Sequence, residues 1–130
     1  MSIVWNLNPC KDINGILFGT DREEVRKILG DNYSEYRKTE YSDNTTDDYG
    51  DFHVFYDDNN KMEAIEIFEG IELYVEDKLV FPTMVEDVLE VFSDGEYDED
   101  EFTSVKYSIG AEVEDGELVS ILVGCEGYYS

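Results

Sequence analysis

Strict alternation about a two-residue turn constrains this chain most. Val105, Tyr107, Ile109, Ala111 and Val113 alternate with Lys106, Ser108, Gly110, Glu112 and Glu114. A period of two places the apolar set on one face of a strand. Asp115-Gly116 follows, and the return segment carries Val119, Ile121 and Val123 at alternate positions. Asp-Gly suits a tight hairpin because both central residues must take positive φ. The 105–123 region is therefore predicted to be an antiparallel hairpin.

Similar signals run through the rest of the chain. Phe52 to Tyr56 and Met62 to Phe68 flank a turn at Asp57-Asp58-Asn59-Asn60. Ile71, Leu73 and Val75 alternate with Glu72, Tyr74 and Glu76, and Glu76-Asp77 turns the chain into a strand at Lys78 to Phe81. Two short helices are predicted, near Asp21–Leu29 and Met84–Phe92. Thr20 with Glu23, and Thr83 with Glu86, have the spacing of a capping box. Val25, Ile28 and Leu29 fall on one face of the first helix, and Val88, Val91 and Phe92 on one face of the second. Gly30 supplies a stop signal for the first helix, and Gly95 follows the second. An apolar strand-like segment precedes each helix, Ile13 to Phe18 and Lys78 to Phe81, and an acidic Tyr-bearing stretch and a hairpin follow. Either a tandem β-α-β-β repeat or two independently capped helices accounts for this recurrence. The expected class is α+β, a mainly antiparallel sheet with two short helices on one face, in a single domain over 1–130.

Charge narrows the choice of partner. The chain holds 33 acidic and 9 basic residues, a formal charge of -24. Residues 79–130 contain 14 acids and only Lys106 as a base, so the C-terminal part is the stronger negative pole. Such a surface repels nucleic acid and anionic membranes and attracts cationic proteins. Disorder is not expected, because 42% of the residues are hydrophobic, with ten Tyr and seven Phe. No run approaches the roughly 18 apolar residues of a membrane span. Met1-Ser2-Ile3-Val4-Trp5-Asn6 does not have the form of a secretory signal. Cys10 and Cys125 are expected to be free thiols in the cytoplasm, and a disulfide between them is not required.

Two acidic-aromatic stretches are the candidate partner-binding sites. The first is Asp94, Glu96, Tyr97, Asp98, Glu99, Asp100, Glu101 and Phe102. The second is Asp47, Asp48, Tyr49 and Asp51. Aromatic rings beside carboxylates suit a protein interface, although a charge run is equally readable as a solvated loop. If the repeat is real, both stretches project from the same end of the sheet. Arg37 and Lys38 lie too far upstream to neutralise either one locally. The sheet around Glu72, Tyr74, Glu112 and Glu114 is the second place to look.

Catalytic and metal motifs are not found. His53, the only histidine, lies between apolar neighbours and no nucleophile motif accompanies it. Loops starting at Asp94 or Asp57 lack the Gly at position six and the Glu at position twelve that an EF-hand needs. The two cysteines have no CxxC partner, and no Walker or GxGxxG loop occurs. No enzyme activity, cofactor or metal is expected.

Ile16-Leu17-Phe18-Gly19-Thr20-Asp21-Arg22-Glu23-Glu24-Val25 looks like an opening shared by many small bacterial α+β proteins. Ile109 to Gly116, then Ile121 to Val123 and Tyr128-Tyr129, looks like the close of such chains. With its size and acidity, the chain resembles immunity proteins of bacterial polymorphic-toxin and contact-dependent growth inhibition systems. The resemblance spans residues 13–129 and implies a cognate toxin with a basic surface, often a nuclease, as partner. It implies no particular site residues. The paired units are also similar to β-lactamase inhibitory proteins, but this chain lacks their signal and close cysteine pairs. An acidic adaptor or DNA-charge mimic, and a small Ca²⁺-binding or carboxylate-dependent enzyme domain, are the alternative classes.

Overall fold

Alternation and turn chemistry build most of the strands seen in the computed structural model, which describes residues 3–37, 40 and 44–129. The chain opens with β1 (Ile3–Asn8), β2 (Asp12–Ile13), β3 (Ile16–Leu17), helix α1 (Arg22–Leu29), β4 (Ser34–Tyr36), β5 (Thr46–Asp48), β6 (Phe52–Tyr56) and β7 (Met62–Ile67). It continues with β8 (Ile71–Val75), β9 (Lys78–Phe81), helix α2 (Val85–Val91), β10 (Glu96–Asp98), β11 (Glu101–Ser104), β12 (Ile109–Glu114) and β13 (Glu117–Gly124). This is an α+β fold with two short helices and mostly antiparallel strands.

Eight strands form one sheet in the order β10-β11-β12-β13-β7-β6-β5-β4, and five form another in the order β3-β2-β1-β8-β9. In both halves of the chain a helix is followed by a four-stranded meander, and the two meanders join where β13 pairs with β7. Among the named strands only β1 and β8 pair in parallel, with Trp5 opposite Leu73. One apolar core unites the sheets: Trp5, Leu73 and Val80 from the small sheet, Val54, Ile65, Ile121 and Val123 from the large one, Val25 and Val88 from the helices, and Phe92 at the C-cap of α2. Trp5 meets Phe52 edge to face at 4.9 Å across the two layers.

The Asp-Gly turn forms as expected, with φ of 51° at Asp115 and 81° at Gly116. Gly30 ends α1 at φ 99° and donates its N–H to the Arg26 carbonyl. Other expectations are corrected. Neither capping box forms: the N-caps are Asp21 and Met84, and neither makes a side-chain capping bond. The Thr20 hydroxyl donates to the Leu17 carbonyl and that of Thr83 to the Asp87 carboxylate, each at 2.6 Å. First-turn donors find neighbouring turns instead, Arg22 N–H on the Asn60 carbonyl (2.9 Å) and Val85 N–H on the Gly116 carbonyl (2.8 Å). Ile28 is exposed, so α1 buries a narrower face than predicted.

Ile13 to Phe18 is not one strand. It folds back on itself as β2 and β3 around Asn14-Gly15, both at positive φ. Residues 105–108 form a turn, and the long predicted strand begins only at Ile109. The Asp94 carboxylate holds that turn by accepting from the Ser104 hydroxyl (2.6 Å) and the Lys106 N–H (3.0 Å). A bulge where β12 pairs with β13 leaves Val119 exposed and puts Leu118 in the core.

Gly95 packs between the Phe102 ring and the Phe92 backbone carbonyl. A Cβ there would lie 2.5 Å from Phe102 Cζ and 2.9 Å from the Phe92 carbonyl oxygen, and backbone cannot yield cheaply. Gly95→Ala is expected to destabilise the protein by about 1–3 kcal/mol in urea unfolding, the range for overpacking a core.

Candidate functional site

The large sheet sorts its side chains by register. Glu35, Asp47, Val54, Ile65, Val123, Ile109 and Ser104 are successive cross-strand partners, so they share the core-facing side. The next row points the other way: Asp48, His53, Glu66, Leu122, Gly110, Thr103 and Glu96. A further outward row contains Asp98, Glu101, Glu112 and Ser120. Three carboxylates thus stand directly opposite one another on β10, β11 and β12. Like charges at opposed positions destabilise a sheet. None of the eight strands contains Lys or Arg.

Asp47 is the exception on the inner side. It is fully buried, and its Oδ1 accepts from Arg22 Nη2 at 2.7 Å and Arg26 Nη2 at 2.8 Å. Its Oδ2 accepts from Arg26 Nε at 2.8 Å. Arg22 and Arg26 are four apart on α1 and therefore share a face. Arg26 also reaches Glu35 at 2.9 Å, and Arg22 donates to Asn44 and Asn60. The two guanidinium groups lie over the rings of Tyr56 (4.4 Å) and Tyr33 (4.2 Å). Burial by itself would raise the Asp47 carboxyl, but the hydrogen bonds from Arg26 and Arg22 outweigh it and hold the group below the usual carboxylate range.

The candidate partner residues therefore divide. Asp47 and Phe102 are enclosed and present no surface to a partner, the first clamped by arginines and the second packed against Phe92. Asp94 is occupied by the 105–108 turn. Burial opposes its charged form, yet the bonds from Ser104 and Lys106 prevail and keep its carboxyl low. Tyr49 is half-buried, stacks on Phe52 at 4.8 Å and donates to the Gly30 carbonyl. Burial pushes its phenol up to about 12. Asp48 accepts from the Gly50 N–H (2.7 Å) and lies 3.2 Å from His53 Nε2. His53 Nδ1 meets the Tyr36 hydroxyl at 2.8 Å. Asp51 is exposed beside Gly70. Glu96, Tyr97, Asp98, Glu99, Asp100 and Glu101 are exposed.

The acidic run is not a loop. It forms the edge hairpin β10–β11, turning at Glu99 with φ 55°. The two acidic-aromatic stretches turn at the same end of the sheet, because β10 and β5 run in the same direction through its antiparallel order, but they stand toward opposite edges. In the strand order β10 is one edge and β5 lies next to the other. The cations that neutralise the second stretch are Arg22 and Arg26, and Lys38 lies outside the described residues.

The C-terminal tyrosines are a feature of this face that sequence reasoning left unassigned. Tyr129 sits over Gly110 and Tyr128 over Gly124, where any Cβ would collide with them. Burial pushes both phenols up to about 12. Tyr129 lines a cavity of about 180 Å³ together with Glu66, Glu101, Thr103, Glu112 and Ser120. Tyr128 lines a second cavity of about 470 Å³ with Asn44, Thr46, Asp57 and Glu63. Glycines at alternating strand positions opposite a terminal Tyr pair were the available signal. Among the described residues no three His, Cys, Asp or Glu side chains are grouped to hold a metal ion.

Asp47→Asn removes the charge that compensates two arginines. It is expected to cost about 3–5 kcal/mol at neutral pH, the usual result of breaking a buried ion pair on one side. A lowered carboxyl pKa stabilises the fold above its unfolded value, and that stability is lost as pH falls through the folded value. The wild-type and variant unfolding curves should therefore converge below about pH 3.9, the ordinary aspartate value.

No protein-family model matches the chain, and no curated protein and no solved structure is significantly similar to it, so the geometry itself carries the functional reading.

Proposed function

We propose that this chain is an immunity-type protein, a stoichiometric inhibitor of a cationic toxin domain, with a nuclease as the favoured partner. The outer face of the large sheet is its binding surface. The observation that supports this reading is the opposed row Asp98, Glu101 and Glu112 on strands that carry no Lys or Arg. A sheet that keeps three carboxylates in register accepts a repulsion that a basic partner relieves. Tyr129 beside them gives a guanidinium an aromatic face. A surface of this charge also speeds association with a basic partner, most strongly at low salt. Binding through this face needs no turnover and no metal. In this reading the protein acts in the cytoplasm. No helix among the described residues is long and apolar enough to cross a membrane.

The test starts from the gene immediately upstream, which this reading expects to encode a large secreted protein with a basic C-terminal domain, and uses that domain. A one-to-one complex that blocks the domain's nuclease activity is expected. Glu101→Lys with Glu112→Lys should slow association at least tenfold in stopped-flow at low salt, with a smaller effect at ~0.15 M, where the Debye length is roughly 8 Å. Glu112→Gln should raise the thermal midpoint of the free protein while weakening the complex. An association rate unchanged by the double reversal at low salt would contradict the assignment of this face.

A further inference from the structure

Cys10 and Cys125 lie near opposite ends of the sequence, yet their backbones pair in a parallel β-bridge. Cys10 follows β1 of the small sheet and Cys125 follows β13 of the large one. Their bridge therefore ties one sheet to the other. Paired strand backbones run about 4.8 Å apart. That separation lies inside the roughly 4.4–6.8 Å Cα window of a disulfide. The two residues converge on one turn. Cys10 Sγ approaches the Lys106 carbonyl at 3.6 Å and the Ser108 hydroxyl at 3.7 Å. The Ser108 carbonyl accepts from Gly124 N–H at 2.9 Å, next to Cys125. Cys125 is itself held by its N–H on the Glu63 carbonyl at 2.8 Å. Both thiols are free and half-buried. Cys10 also holds φ 67°, a conformation that persists in a non-glycine residue only where the surroundings impose it.

We propose that Cys10 and Cys125 form a thiol pair that closes to an intramolecular disulfide when the reduced protein meets a small-molecule disulfide such as oxidised glutathione. One cysteine thiolate attacks a sulfur of the oxidant, forming a mixed disulfide and expelling one glutathione thiolate. The second cysteine thiolate then attacks the protein sulfur of that mixed disulfide. The Cys10–Cys125 bond forms and the second glutathione thiolate leaves. The two cysteines lose two electrons and two protons, and one oxidised glutathione becomes two reduced ones. Burial and the Glu63 carboxylate push the Cys125 thiol up, so its thiolate is scarcer at neutral pH than that of a free cysteine. The closed bond encloses a loop of roughly 115 residues and clamps the small sheet onto the large one.

The experiment treats the full reduced chain with oxidised glutathione and follows intact mass, non-reducing peptide maps and thermal melting. The expected result is loss of two hydrogens, a cross-linked peptide joining Cys10 to Cys125, and a thermal midpoint raised on the order of 10 °C. A reductant should reverse all three. Cys10→Ser and Cys125→Ser should each stop at a single glutathione adduct with no such rise. Wild-type protein that accumulates glutathione at both cysteines, or that cross-links between chains, would overturn the proposal. So would a cross-linked protein whose midpoint does not rise.

Discussion

The ion cluster at Asp47 is the constraint on which the rest of the structure depends. A carboxylate cannot enter a row of Val54, Ile65, Val123 and Ile109 without compensation, because an isolated buried charge costs far more than a domain's net stability. Arg22 and Arg26 supply it, with three hydrogen bonds between 2.7 and 2.8 Å. Those bonds fix the helix α1 against β5. They also fix the register of β5, since a slip of one residue would bury Asp48 and expose Asp47. The cluster does not add stability simply by being charged. It makes this arrangement the one in which no charge is left alone.

The same device shapes the surface. Two of the nine basic residues are committed to Asp47, and the large sheet's strands contain no others. The register lines three of the sheet's remaining carboxylates up on β10, β11 and β12. A charged edge at β10 also discourages strand-to-strand association between copies, because an exposed edge is otherwise a template for pairing. The C-terminal tyrosines then settle on the two glycines of the outer face, giving an acidic surface an aromatic floor.

The hairpins β6–β7, β8–β9 and β12–β13 were legible because each has a local cause. Alternation at Ile71 to Val75 and positive φ at Asp115-Gly116 act within a few residues. The helices were legible in place but not in their caps, since the donors that Thr20 and Thr83 would have satisfied found the Asn60 and Gly116 carbonyls from distant turns. Asp47 was the hardest residue to place. In the sequence it stands among Asp48, Tyr49 and Asp51 and looks solvated, and only the pairing of β5 with β6 turns it inward. The row Asp98, Glu101, Glu112 was likewise invisible, because its members belong to three strands whose registers depend on a turn at residues 105–108. An unbroken alternation concealed that turn.

The most direct measurement is a pH titration of the side-chain carboxyl carbons by NMR, assigned residue by residue. The account predicts that Asp47 remains ionised to a pH clearly below about 3.9, the ordinary aspartate value, and that its protonation coincides with loss of the folded spectrum. An Asp47 carboxyl that titrates at or above that value while the protein stays folded would contradict the claim that Arg22 and Arg26 clamp it.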